Sequence, residues 1–79
     1  MTVRVELTAS LRKYVEGYDL AKGIILSDIE GKSVNTLIDE LGIPSAEVTS
    51  IVINYRSGDM KHVIKDGDAI YLVKAVGGG

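Results

Sequence analysis

No cysteine occurs anywhere in this 79-residue chain, and that absence narrows what it can become. Disulfide staples, thiolate metal sites and a cysteine nucleophile are all ruled out. A chain this short buries only about 60–65% of the surface its unfolded form exposes, so its stability must come from one apolar core. Phe and Trp are also missing, and only Tyr14, Tyr18, Tyr55 and Tyr71 carry rings. Aliphatic side chains must therefore fill that core, and 46% hydrophobic residues suffice for one compact domain. Nine basic residues against eleven acidic ones give a net charge of -2, which argues against nucleic acid as a partner, since such binders carry a basic stripe. No run approaches the ~20 apolar residues that span a bilayer, and the N-terminus shows no apolar signal-peptide region. A soluble, cytoplasmic domain without a membrane partner is the expectation.

Residues Thr2 to Thr8 alternate, with Val3, Val5 and Leu7 on one face and Arg4, Glu6 and Thr8 on the other. That period of two reads as a half-buried strand. Ser10 is placed to cap a short helical segment through Val15, with Leu11, Tyr14 and Val15 as its apolar face, and Gly17 ends it. Ile24, Ile25, Leu26 and Ile29 make a second strand within residues 23–29, whose facing the pattern leaves open. The clearest helix follows Gly31-Lys32-Ser33. Ser33 is the cap, and Val34, Leu37, Ile38 and Leu41 fall at i, i+3, i+4 and i+7. Gly42 sits where a left-handed C-terminal residue is expected, Pro44 keeps the helix from resuming, and Asp39-Glu40 lie at its unfavourable dipole end.

Ile51 to Tyr55 reads as a third strand leading into a turn at Arg56-Ser57-Gly58-Asp59. A short strand is expected around Lys61 to Ile64, and Asp66-Gly67-Asp68 turns the chain again. Ala69 to Val76 is the last strand, with Ile70 and Leu72 on one face and Tyr71 and Val73 on the other. This order implies an α+β domain over residues 1–76, a mixed sheet of four to five strands with one main helix packed across it.

Gly77-Gly78-Gly79 follows. Glycines lose more backbone freedom on ordering than other residues and cannot pack, so 77–79 are expected to form a flexible tail. A glycine carboxylate has no Cβ to obstruct a narrow channel. Carboxylates are poor electrophiles, but an acyl-adenylate opens the carbonyl to a sulfur nucleophile and yields a thiocarboxylate. A frayed end has the same composition.

The run Val63-Ile64-Lys65-Asp66-Gly67-Asp68-Ala69-Ile70-Tyr71-Leu72, followed by Val76-Gly77-Gly78-Gly79, resembles the C-terminal signature of the MoaD/ThiS sulfur-carrier family. That signature is a D-G-D turn, an apolar strand and a di-glycine end at fixed distance. The N-terminal strand with Leu11-Arg12 is similar to the MoaD branch, and the Gly31 to Leu41 turn and helix and Asn54 also match the family pattern. The resemblance implies a ubiquitin-like β-grasp fold and activation of Gly79 by an E1-like adenylating enzyme that uses ATP and Mg2+. Gly78 and Gly79 would be the reactive end, and Tyr71, Val73, Val76, Gly77 and Arg12 would meet partners. The chain itself would bind no cofactor or metal and would be no enzyme alone, though such chains serve as the small subunit of molybdopterin synthase.

Molybdopterin biosynthesis, with the large subunit of that synthase as acceptor, is the first destination for the sulfur. Thiamine thiazole formation, with a thiazole synthase as acceptor, comes second. A protein modifier conjugated through Gly79 and a binding module with an idle tail are the remaining classes. The sequence departs from the MoaD pattern at two places: Lys74 and Ala75 stand where prolines are usual, and Thr8 where the molybdopterin branch often has an aromatic residue.

Other signals have plainer readings. Gly31-Lys32-Ser33 imitates the end of a phosphate-binding loop, but the glycine required five residues earlier is Leu26. His62 is the single histidine and cannot build a conventional zinc site without cysteine. Asp66 and Asp68 flank Gly67 as turn residues do. If Ile70 and Leu72 face the helix, Tyr71 and Val73 form an open apolar patch beside the tail, a natural docking surface.

Overall fold

A computed structural model describes residues 2–75. Among these, five strands form one mixed sheet: β1 (Thr2–Leu7), β2 (Ile24–Ser27), β3 (Ser50–Ile53), β4 (Arg56–Gly58) and β5 (Ala69–Val73), in the order β2-β1-β5-β3-β4. The first and last strands, β1 and β5, pair in parallel at the centre, and every other pairing is antiparallel. One α-helix, α1 (Val34–Glu40), and two short 3-10 helices, Ala9–Tyr14 and Ser45–Glu47, complete the fold. This is the β-grasp architecture that the resemblance implied.

Register decides which side chains are buried. Val5 lies opposite Ile70 and Leu7 opposite Leu72, while Ile51 and Ile53 pair with Leu72 and Ile70 from the other side. All six are buried with Val3, and Val34, Leu37 and Ile38 of α1 close over them together with Leu11, Ile29, Ile43 and Ile64. The alternation in β1 and β5 thus faces as the sequence predicts. In β2 the open question is resolved: Ile24 and Leu26 pack against the core, and Ile25 is exposed.

The helix follows its sequence signals closely. Ser33 Oγ accepts the Thr36 N–H at 3.1 Å, and Gly42 takes a left-handed φ of 78° while its N–H donates to the Asp39 carbonyl. Gly31-Lys32-Ser33 is therefore the entry to a capped helix. Glu40 at the other end meets Lys32 Nζ at 2.9 Å in an exposed pair, which adds little to stability.

Several expectations need correction. Ser10 is not a cap: the 3-10 helix starts at Ala9, the residue before it is Thr8, and no side chain caps it. The second strand stops at Ser27, because Asp28 has a left-handed φ of 61°, and Ile29 is buried from the loop beyond. The third strand ends at Ile53 and the turn falls at Asn54-Tyr55, with φ of 52° and 68°. Arg56–Gly58 is then a strand and not a turn. A two-residue hairpin of this kind needs two left-handed residues, and Tyr55 carries none of the glycine signal that usually marks the second. Residues 61–64 form no strand; Val63 makes a single bridge to Ser33. The backbone of Met60 and His62 instead serves the helix start, where Val34 N–H donates to the His62 carbonyl and Asn35 N–H to the Met60 carbonyl, satisfying first-turn donors that lack partners within the helix. The last strand ends at Val73, and Val76 lies outside the described residues. No described helix is long and apolar enough to cross a membrane.

Two glycines in left-handed backbone separate the cost of conformation from the cost of space. Around Gly42 a Cβ would meet nothing within 4 Å, whereas at Gly23, with a φ of 70°, it would lie 2.6 Å from the Val5 carbonyl oxygen. Gly42→Ala should cost about 1 kcal/mol and Gly23→Ala at least about 1 kcal/mol more. Urea unfolding of both variants measures the difference, and equal costs would contradict the close approach of residue 23 to β1.

Candidate functional site

The helix covers one face of the sheet and leaves the other open. Cross-strand partners share a face, so the pairs Arg4–Ile25, Glu6–Tyr71, Val52–Tyr71 and Ser50–Val73 define the uncovered side. Tyr71 is 40% and Ile25 51% exposed, and Val52 and Val73 are half-buried. A shallow cavity of about 100 Å³ lies between Arg4, Glu6, Val52, Tyr55 and Tyr71. Arg4 and Glu6 pair across its rim at 3.1 Å, so the patch is apolar at its centre and charged at one side.

Because β1 and β5 run parallel, both end at the same edge of the domain, where Thr8 N–H donates to the Leu72 carbonyl. Here the chain leaves the sheet toward Gly77. Lys74 N–H donates to Thr8 Oγ1 at 3.0 Å and Ala75 N–H to Thr49 Oγ1 at 2.8 Å. The Lys74 ammonium lies 2.9 Å from Glu47 Oε2, and the Tyr14 hydroxyl donates to Glu47 Oε1 at 3.3 Å. The hydrogen bond from Lys74, and next its charge, hold the Glu47 carboxyl below its ordinary range; the same bond raises Lys74. Arg12 belongs to this end too. Its Nε donates to the Leu7 carbonyl at 3.0 Å and its guanidinium lies 5.3 Å from the Tyr18 ring centre, while the Tyr18 hydroxyl accepts the Leu7 N–H.

A buried polar network ties the β3–β4 hairpin to the start of β5. Asp68, 6% exposed, accepts from Asn54 Nδ2 at 2.8 Å and from the Lys65 N–H at 2.9 Å, and lies 3.0 Å from His62 Nε2. Asn54 Oδ1 in turn accepts the Ala69 N–H. Burial pushes the Asp68 carboxyl up, but the hydrogen bonds from His62, Lys65 and Asn54 outweigh it and the net shift is downward. Asp68 is thus both the turn residue expected and the hub of a network.

Of the residues singled out from sequence, Tyr71 and Val73 share the open face and Arg12 sits at the end where the chain departs. Gly77, Gly78 and Gly79, with Val76, lie outside the described residues. Sequence reasoning missed the hydroxyls of Thr8 and Thr49 and the junction of Asn54, His62 and Asp68. A signal for the first existed: Lys74 and Ala75, standing where prolines are usual, bring two N–H groups that need acceptors.

The fold and its open face define a ubiquitin-like domain of the β-grasp type. Residues 1–74 match the sequence model of the family described as Mut7-C ubiquitin, and the chain belongs to that family. Its backbone is similar to the solution structure of Urm1 from Trypanosoma brucei, with a TM-score of 0.72 at 15% identity, over 99% of this chain and 95% of that one. No curated protein matches the sequence. The family and the fold together make the chain a ubiquitin-like domain.

Asp68→Asn supplies one acceptor oxygen where two were used, so its amide must face either the Asn54 amide or the Lys65 N–H. The expected loss is about 1–3 kcal/mol in urea unfolding at neutral pH. A carboxyl lowered by folding contributes stability above its unfolded pKa, and that contribution disappears as pH falls through the folded value. Wild-type stability should therefore drop as pH falls below about 4, the ordinary aspartate value, more steeply than that of the variant. Parallel acid limbs would show that Asp68 is not the group responsible.

Proposed function

We propose that this domain is a sulfur carrier, with the Gly79 carboxylate as its working group. The observation that carries the reading is that β5, the strand that precedes the glycines in sequence, is the central strand and carries Tyr71 and Val73 on the face that the helix leaves open. A partner that docks on this face holds the strand from which the chain continues, four residues after Val73, into Gly77–Gly79. The chemistry is that of an E1-like adenylating enzyme working with ATP and Mg2+. A carboxylate oxygen of Gly79 attacks the α-phosphorus, pyrophosphate departs, and a sulfur nucleophile then displaces AMP from the carbonyl carbon to leave a thiocarboxylate. This chain supplies no catalytic side chain; it contributes the docking face, with Tyr71, Val73, Val76, Gly77 and Arg12 as contacts, and an end narrow enough to enter. Molybdopterin biosynthesis in the cytoplasm is the first destination, with the large subunit of the synthase receiving the sulfur. Thiazole synthase is the alternative acceptor, supported by the missing prolines at Lys74 and Ala75. A protein modifier conjugated through Gly79 would use the same activation.

A second reading has one observation in its favour: the family match ends at residue 74, before the glycines. In it the open sheet face binds a partner and the glycines are idle.

Intact-mass analysis after incubation with the cognate activating enzyme, ATP and a sulfur donor should show one oxygen replaced by sulfur, localised to Gly79. Removing Gly78 and Gly79 should abolish both that change and function in the host. Full function of the truncated chain would instead establish the binding module, and isopeptide-linked conjugates recovered from cells would establish the modifier.

A further inference from the structure

The ladder of β5 ends at Val73, yet the next two N–H groups are both bonded, and neither bonds to backbone. Lys74 N–H finds the hydroxyl of Thr8, the residue after β1, and Ala75 N–H finds that of Thr49, the residue before β3. One hydroxyl thus comes from each neighbouring strand, on opposite sides, as extended backbone requires. The Thr49 hydroxyl uses its capacity in both directions: it donates its proton to the Val73 carbonyl at 3.0 Å and accepts from Ala75. The Thr49 N–H reaches the same Val73 carbonyl at 2.8 Å. The Lys74 side chain is drawn aside by Glu47, which the Tyr14 hydroxyl also holds. Lys74 is half-buried and Ala75 exposed, so no apolar packing requires these two residues to be ordered.

We infer that Thr8 and Thr49 are positioning residues that clamp the backbone at Lys74 and Ala75 and so fix where, relative to Tyr71 and Val73, the chain departs toward Gly79. The inference rests on the carrier reading. Holding two residues removes rotational freedom that would otherwise be lost only when the docked end reaches reactive geometry. It acts on how often the end reaches reactive geometry and not on how tightly the face docks. Its loss therefore falls on kcat and leaves KM in place.

The test uses the full chain with its cognate activating enzyme, ATP–Mg2+ and sodium sulfide, followed by intact mass. Thr49→Val removes the hydroxyl while keeping the shape, Thr49→Ser keeps the hydroxyl, and Thr8→Val probes the opposite side. Thr49 is exposed and Thr8 half-buried, and neither belongs to the apolar core, so the fold persists, and thermal unfolding verifies it. Each valine variant should lower kcat for thiocarboxylate formation about fivefold with KM unchanged, and hydrogen exchange at Ala75 in Thr49→Val, or at Lys74 in Thr8→Val, should quicken about fivefold. Thr49→Ser should restore both. Wild-type kcat in both valine variants, or a change confined to KM, overturns the clamp while the carrier reading stands. A wild-type chain that takes up no sulfur overturns the carrier reading and the clamp with it.

Discussion

The parallel pairing of β1 with β5 is the constraint on which the rest of this structure depends. It joins the two ends of the sequence at the centre of the sheet and supplies Val5, Leu7, Ile70 and Leu72 to the core. Pairing so remote in sequence closes a long loop, whose entropy must be offset by everything that later packs on it. With no covalent cross-link to share that load, helix, hairpin and 3-10 segments all lean on this one junction.

The same junction sets how the end of the chain is presented. An edge strand would let the chain depart with a neighbour on one side only. A central strand departs between two neighbours, and β1 and β3 each end their pairing with a threonine beside it. The two faces of the sheet then divide the work: one is sealed by α1, and the other keeps Tyr71, Val73, Val52 and Ile25 within reach of solvent. The Asp68 network secures the opposite end of β5, so the strand is fixed at both limits by polar contacts and along its length by apolar ones.

Much of this was legible where local chemistry and period carry the information. The alternation of Val3, Val5 and Leu7, that of Ile70 and Leu72, and the helix from Ser33 to Gly42 were readable because each residue's role depends on near neighbours in sequence. The Asn54-Tyr55 turn was not, since left-handed backbone at a tyrosine is imposed by strand pairing and leaves no glycine to mark it. The short strand expected around Lys61 to Ile64 does not form, and the carbonyls of Met60 and His62 serve helix donors that only the folded arrangement brings close. The meeting of Asn54, His62 and Asp68 likewise has no spacing rule; it follows from the hairpin folding back on the last turn. The outward facing of Tyr71 and Val73 was readable; Lys74 and Ala75 signalled two N–H groups in search of acceptors but not which acceptors, because Thr8 and Thr49 lie far from them in sequence.

The strand order has a consequence for how the protein behaves in a crowd of its own copies. Its long apolar strands lie inside the sheet, and the two edges are β2, four residues, and β4, three residues. Edges so short offer too few free backbone groups to template a neighbouring chain, and no apolar stretch of fibril-forming length lies along either one. The topology itself thus limits how much free backbone the folded domain offers for edge-to-edge growth.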